Sequence, residues 1–384
     1  MSNASKNDLE LIEEALGRIS EAPDHEAFTM PGPFYTSEDY LKQEREQLFR
    51  KKWVCVGREE EVPEEGCYFA SDLIGEPIII VRTTGNTIKA LSNVCRHRAM
   101  PLLSGQGKSK RITCSYHAWT YDLDGKLLRA PGIEKHRKDF LEACRLPELN
   151  CECWHGFIFV NLDSKADSFV ESPTVKQLEP MIENMHIDDM RLLYSEEQEW
   201  EVNWKCLVEN FLEGYHLSTV HRKTLHPYTP TRLSKHFPSQ ADFFGFYSNY
   251  PEDAPRRGTS HPDLTAEESR RSLMVGIAPS SVFGISGFKA TYNLIQPVSA
   301  TRLRTKIGMI GVEPKTDEDK RAADAGVDLF KRTFAEDELQ LVNQMKGLQS
   351  RYYQSSILAR SDYEGCIWDF YKYMAREINL KGVY

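Results

Sequence analysis

No uninterrupted apolar run in this 384-residue chain approaches the roughly 20 residues needed to span a bilayer. The first twenty residues, MSNASKNDLELIEEALGRIS, lack the apolar core of a secretory signal. Excess positive charge is also missing. The formal net charge is −9, which argues against a polyanionic partner such as nucleic acid. Repeats and low-complexity tracts are absent. Nor is there a disulfide framework: the nine cysteines are an odd number with irregular spacing. Together these absences lead to the expectation of a soluble, cytoplasmic, globular protein, long enough for two domains.

Against this background two short pairs stand out. Cys95-Arg96-His97 and Cys114-Ser115-Tyr116-His117 are separated by sixteen residues. Each loop offers one thiolate and one imidazole, the ligand set of a Rieske two-iron, two-sulfur cluster, in which two sulfurs bind one iron and two histidines the other. A structural Cys2His2 zinc site is the competing reading. Zinc loops, however, usually place cysteine with cysteine and histidine with histidine. The other seven cysteines include Cys151 and Cys153, in a strand-like run with no matched second pair; buried free thiols are expected there.

The stretch from Cys95 to Leu127 resembles the Rieske domain of the ring-hydroxylating, non-haem iron oxygenases. Arg96, Arg98, Tyr116, Trp119, Tyr121, Asp122, Asp124 and Gly125 carry the likeness. Ala99 and Ala118 stand where that family more usually has glycine, and a local adjustment of the loops is expected. The extra loop cysteines of respiratory Rieske proteins are absent, which favours the oxygenase branch.

A second motif lies about 100 residues further on. ENFLEGYHLSTVH contains Glu209, Asn210, Glu213, His216 and His221. Two histidines and a carboxylate make the facial triad of non-haem iron(II) sites. On a regular helix His216 and His221 would point about 140° apart, so sharing a metal requires a bend or wider turn. The resemblance covers this motif too. It implies His216 and His221 as iron ligands, with Asn210 and Glu213 as catalytic-site residues. Glu213 would link a Rieske histidine of a neighbouring subunit to His216. Glutamate at this position is characteristic of members resembling carnitine and choline monooxygenases, and the segment is one residue shorter than in naphthalene-type enzymes.

The third ligand must come from afar. Glu336, Asp337 and Glu338 are consecutive, and on a helix only one of them can reach a shared metal. The resemblance, through Gln344, Gly347 and Leu348, selects Asp337, with Asp362 and Asp369 in reserve.

The expected fold is α+β. An antiparallel β Rieske domain spans 51–165, after an N-terminal helical segment over 1–50 that packs on the catalytic domain. Residues 166–384 form that domain, with an antiparallel sheet and flanking helices, helix-grip by resemblance. Strands are expected at 195–203, 243–249, 281–285, 290–297 and 302–311. Helices are expected at 175–186, 205–221 and 317–348, and a solvated loop over 251–271.

The resemblance implies the oxygenase (alpha) subunit: a Rieske cluster, a mononuclear iron(II), and NAD(P)H acting indirectly through a reductase or ferredoxin donor. O2 and a small organic substrate, aromatic or quaternary-ammonium/N-methyl, would meet at the iron, in a homotrimer. A pure electron-transfer Rieske protein, a zinc-stabilised interaction protein, or an aromatic-ring cis-dihydroxylating dioxygenase are the alternatives. Ring dihydroxylation, monohydroxylation and oxidative demethylation all remain open.

Overall fold

A computed structural model describes residues 7–133, 138–239, 241–254 and 261–381. Residues 1–6 of the expected N-terminal segment, 382–384 of the expected catalytic domain and 255–260 of the expected loop lie outside the described residues. The chain divides into two compact units: residues 50–170, and residues 1–49 together with 171–384.

The 50–170 unit is antiparallel β. Seven strands pair in one sheet: β1 Val54–Arg58, β2 Cys67–Leu73, β3 Glu76–Arg82, β4 Ile88–Ser92, β5 Gln106–Lys108, β9 Glu148–Trp154 and β10 Phe157–Asn161, in the order β1-β10-β9-β4-β3-β2-β5. β6 Ile112–Thr113, β7 Thr120–Tyr121 and β8 Leu127–Arg129 form a small second sheet. The β-branched run of β3 packs with Leu91, Ile112, Trp119 and Leu127, and Cys95 and Cys114 belong to this same core. Burial of these apolar groups anchors the roots of both Cys–His loops.

The other unit wraps a seven-stranded antiparallel sheet around helices. Its strands are β11 Met190–Trp200, β12 Ser234–Phe237, β13 Phe243–Asn249, β14 Arg271–Ile277, β15 Ser281–Ser286, β16 Lys289–Ser299 and β17 Arg302–Val312, in the order β11-β17-β16-β15-β14-β13-β12. Helix Trp204–Phe211 packs on β14 to β17, and helix Asp317–Leu348 packs on β11. Helix Ser361–Glu377 packs on β12, β13 and the N-terminal helix Asp8–Glu21. The last contact is extended by a two-stranded patch in which Thr29 N donates to Ser356 O (2.9 Å) and Leu358 N to Ala27 O (2.9 Å).

Several expected elements differ. The helix expected at 205–221 ends at Phe211, and turns with a short 3-10 segment at His216–Ser218 follow. The cause is tertiary. Gly214 N donates to Tyr363 O (3.0 Å), and a Cβ on Gly214 would come within 2.1 Å of Ser234 Oγ. The chain therefore leaves the helix to meet two distant elements. The 175–186 helix is Pro173–Ile182, closing in a 3-10 turn with His186 in the left-handed region at φ 49°. The 195–203 strand runs Met190–Trp200 instead. Strand β14 and the helix Ser361–Glu377 were not anticipated. The helix does carry a signal: Ile367, Phe370, Tyr371 and Met374 are all buried, at helical spacing.

Candidate metal centres and substrate cavity

The two Cys–His loops are built alike. In the first, Cys95 N donates to Met100 O (2.9 Å) and Ala99 N to Cys95 O (3.0 Å); in the second, Cys114 N donates to Trp119 O (2.8 Å) and Ala118 N to Cys114 O (3.0 Å). Each loop turns through an alanine in the left-handed region, Ala99 at φ 58° and Ala118 at φ 56°. This is the local adjustment that replaces glycine, and it is strained for a residue with a Cβ. The thiols of Cys95 and Cys114 are buried, whereas His97 is exposed and His117 half-buried. Their Nδ1 atoms lie 3.2 Å apart, and the His97 ring stacks on Trp119 with centroids 4.8 Å apart.

Tyr121 supports the cysteine side. Arg96 N donates to its phenolic oxygen (3.1 Å), which lies within hydrogen-bond reach of Cys95 Sγ at 3.4 Å. Burial, then the neighbouring Cys95, pushes the phenol well above its usual range and keeps it a donor. Two soft sulfurs on a buried side and two imidazoles converging on an open side fit a Rieske cluster.

The second cluster forms where the broken helix meets the long one. His221 Nε2 lies 3.1 Å from His216 Nε2 and 3.0 Å from Asp337 Oδ1; His216 Nε2 lies 3.6 Å from the same oxygen. These three can hold one metal ion. The wider turn that two histidines five apart require is supplied by helix termination, not by a bulge.

Each of the three is held from behind. Glu213 accepts from Nδ1 of His216, and its other oxygen accepts from His216 N (3.0 Å) and Tyr215 N. Glu336 accepts from Nδ1 of His221 (2.8 Å) and from Thr224 Oγ1 (2.6 Å). Asn210 Nδ2 donates to Asp337 Oδ1 (3.3 Å). With Nδ1 protonated and engaged, both histidines turn an Nε2 lone pair to the common point. Burial works against a proton on His216, but Glu213 and then Asp337 outweigh it and raise its pKa.

Of the residues singled out from sequence, Asn210, Glu213, His216, His221 and Asp337 lie together here, and Cys95, His97, Cys114 and His117 lie together in the other unit. Glu338 points elsewhere: it lines a separate cleft with Lys331. The reserves do not approach this site. Asp362 pairs with Lys235 (2.9 Å) and Asp369 with His236 (2.7 Å). Sequence reasoning missed Glu336 and Thr224 as supports of His221. The acidic triplet was the only trace of the first, and nothing in the sequence marks the second.

His216, His221 and Asp337 face a cavity of about 1020 Å³, counted out to its open mouth. Phe211, Phe330 and Phe334 form one wall; Phe334 lies 6.4 Å from Phe211 and 5.9 Å from Phe330 between ring centroids. The opposite wall is the inner face of β13 to β16.

Comparison with known proteins adds the following. Residues 52–179 match the Rieske [2Fe-2S] domain, and residues 187–379 match the ring hydroxylating alpha subunit catalytic domain. The carnitine monooxygenase oxygenase subunit of Escherichia coli (strain K12) is 30% identical over 352 residues, which cover 88% of this chain and 90% of that one. Chloroplastic choline monooxygenase of Beta vulgaris is 25% identical over 343 residues, covering 87% and 74%. The solved quaternary ammonium Rieske monooxygenase CntA superposes with a TM-score of 0.80 at 25% identity, over 96% of this chain and 98% of that one. Naphthalene 1,2-dioxygenase from Rhodococcus sp. shares the fold, with a TM-score of 0.78 at 19% identity over 97% and 98%.

Proposed function

Because the chain belongs to the ring-hydroxylating oxygenase alpha subunits of Rieske type, we propose that it acts on a small quaternary ammonium or N-methyl compound, with His216, His221 and Asp337 as the ligands of its mononuclear iron. The chain is the oxygenase component of a Rieske monooxygenase; it receives electrons from a separate donor protein, and its cofactors are a two-iron, two-sulfur cluster and a mononuclear iron. When bound, the cluster supplies single electrons and the iron supplies dioxygen activation.

The single observation that carries the ligand assignment is the convergence of three donor atoms on one point of an aromatic-walled cavity, each donor fixed by its own second residue. Glu213 and Glu336 hold the imidazole tautomers, and Asn210 holds the carboxylate. Cys95, Cys114, His97 and His117 would hold the cluster. The phenylalanine wall supports the substrate class, because a quaternary nitrogen is attracted to ring faces and needs no counter-carboxylate. The carnitine, choline and glycine betaine relatives lend the same support.

The assembly we favour is a head-to-tail ring of three chains, in which Glu213 joins His216 to His117 of the next chain. A heterologous contact closes into a ring when its rotation allows. A matched quaternary ammonium monooxygenase is described as using inter-subunit electron transfer, which supports this arrangement.

The experiment is metal and sulfide analysis, followed by oxygen uptake with the donor protein across quaternary amines, N-methyl compounds and aromatic hydrocarbons. About three irons and two sulfides per chain are expected, with substrate-dependent uptake on the ammonium compounds. Zinc without sulfide would reject the cluster, and uptake confined to hydrocarbons would reject the substrate class. Glu213→Gln should retain both metals and the oligomer yet slow substrate-dependent oxidation of the cluster.

A further inference from the structure

The catalytic unit holds a second group of two histidines and one aspartate, His186, His261 and Asp263, none of which lines the substrate cavity. His186 closes the turn after the helix Pro173–Ile182, in the left-handed region. Asp263 stands 77 positions further along the chain, with His261 just before it, in the charged stretch that reads as loop. Asp263 Oδ2 lies 3.1 Å from His186 Nε2 and 3.5 Å from His261 Nδ1. At the candidate iron site Asp337 Oδ1 lies 3.0 and 3.6 Å from its two histidines. In both groups one nitrogen of each ring and one carboxylate oxygen lie within 4.8 Å of one another.

A simple ion pair accounts for only part of this. It needs one imidazolium and one carboxylate. Here the rings of His186 and His261 lie face to face, with centroids 3.5 Å apart and planes 30° from parallel. Two imidazolium rings so placed repel, and Asp263 offsets one charge only. Asp189 lies 3.9 Å away, against the far nitrogen of His186. Asp263 N lies 3.3 Å from His261 Nδ1, a long contact that an exposed amide can exchange for water. Two imidazole lone pairs and a carboxylate are then left for one cation. The two segments are also held together independently: Asn184 Nδ2 donates to both oxygens of Glu268 (3.2 and 3.3 Å), and Thr265 N donates to Glu268 Oε2 (2.8 Å). The donors are thus gathered before any metal arrives.

We infer that His186, His261 and Asp263 form a further metal site, for a transition-metal dication of the zinc type, with water completing the shell. Imidazole nitrogen suits zinc, copper and nickel, whereas magnesium and calcium take oxygen ligands. Zinc held by three protein donors keeps a fourth position for water. The place of the site in the fold gives it a role. Leu264 follows Asp263 directly and lies over Gly287, where a Cβ would strike its side chain. Ser286, Phe288 and Lys289 around that glycine line the substrate cavity, as do Tyr250 and Ser272 at the two ends of the 251–271 stretch. A bound dication ties this stretch to the turn at His186 and steadies one edge of the cavity without touching substrate. The inference is independent of the substrate class and of the iron ligands.

The test uses protein with both iron centres loaded, dialysed against micromolar zinc and analysed for zinc and iron. About one zinc per chain should bind with no loss of iron. The double variant His186→Gln/His261→Gln, shown to be folded by its cluster spectrum and iron content, should bind zinc at least about 100-fold more weakly, because lost ligands cost more than the 10- to 100-fold of a lost supporting partner. His236→Gln, which breaks a separate His–Asp pair (2.7 Å), should bind zinc as wild type does. Magnesium and calcium should not compete. Amide hydrogen exchange over residues 261–268 should slow when zinc is added to wild type and stay unchanged in the double variant. Equal zinc affinity in wild type and double variant, zinc uptake matched by iron loss, or no uptake from micromolar zinc would each overturn the site. Zinc binding that depends on the two histidines but leaves exchange unaltered would keep the site and overturn its role as a tie.

Discussion

Asp337 is 3% exposed and shares one oxygen between both histidines and Asn210. Its neighbour Glu336 never reaches that point; it holds His221 by the far nitrogen. The two acids should therefore fail differently. Asp337→Ala should lose mononuclear iron and turnover while the visible spectrum of the Rieske cluster stays intact. Glu336→Ala should keep the ligand set but weaken iron affinity by roughly 10- to 100-fold, the usual scale for a supporting partner. Iron titration of the two variants checks both; equal losses would place Glu336 in the coordination sphere. Thr224 stands one step further back: its hydroxyl donates to Glu336, the group that holds His221.

At the scale of elements, the informative place is the end of the helix at Phe211. The Cys–His pairs could be read directly, since ligand chemistry constrains residue type and spacing within one short loop. Strands β3, β10 and β13 were legible for a similar reason: each is a local run with its own period or apolar continuity. The stop at Phe211 was not, because Gly214 answers to Tyr363 and Ser234, both far away in sequence. Local pattern continues the helix to His221, and tertiary contact overrides it. Gly214→Ala should consequently displace the turn that carries Glu213 and His216, lowering iron content while leaving the cluster in place. Ser234→Gly removes both atoms that the new Cβ would strike, at 2.1 and 2.9 Å. The double variant should recover iron that the single variant loses, and non-additivity in iron content is the measurement. Strand β14 escaped notice because it follows directly on a charged, proline-containing stretch that reads as loop.

Across the whole molecule, Glu209 ties together three segments that the sequence keeps far apart. It is buried on the site helix, Tyr35 donates to its two oxygens at 3.0 and 3.1 Å, and the Tyr35 and Tyr371 hydroxyls lie 2.8 Å apart. Burial pushes the Glu209 carboxyl up to about 8, against the opposing effects of Tyr35 and Lys205. In the unfolded chain it titrates near 4.5. Between these values the folded state holds a proton that the unfolded state has released, so stability falls as pH rises from about 4.5 to about 8 and then levels off. Glu209→Gln keeps an acceptor for Tyr35 and abolishes the titration. Relative to wild type it should gain stability with rising pH, on the order of 2–4 kcal/mol by pH 8. Urea midpoints from pH 5.5 to 8.5 measure this; parallel profiles would show that Glu209 is ionised throughout.

The pairing of residues 27–29 with 356–358 has a further consequence, in time and not in space. The unit that carries the Cys–His pairs is one continuous stretch, complete once residue 170 has been made. The unit that carries His216, His221 and Asp337 begins earlier but waits for the helix Ser361–Glu377, about 200 residues later, to cover its N-terminal helix. At translation rates of roughly 5–20 residues per second that interval is on the order of 10–40 s. The protein is thus born with its two metal centres out of step. The pocket for the cluster is finished while the ribosome is still building the pocket for the iron, and the helix Asp8–Glu21 remains without its partner throughout.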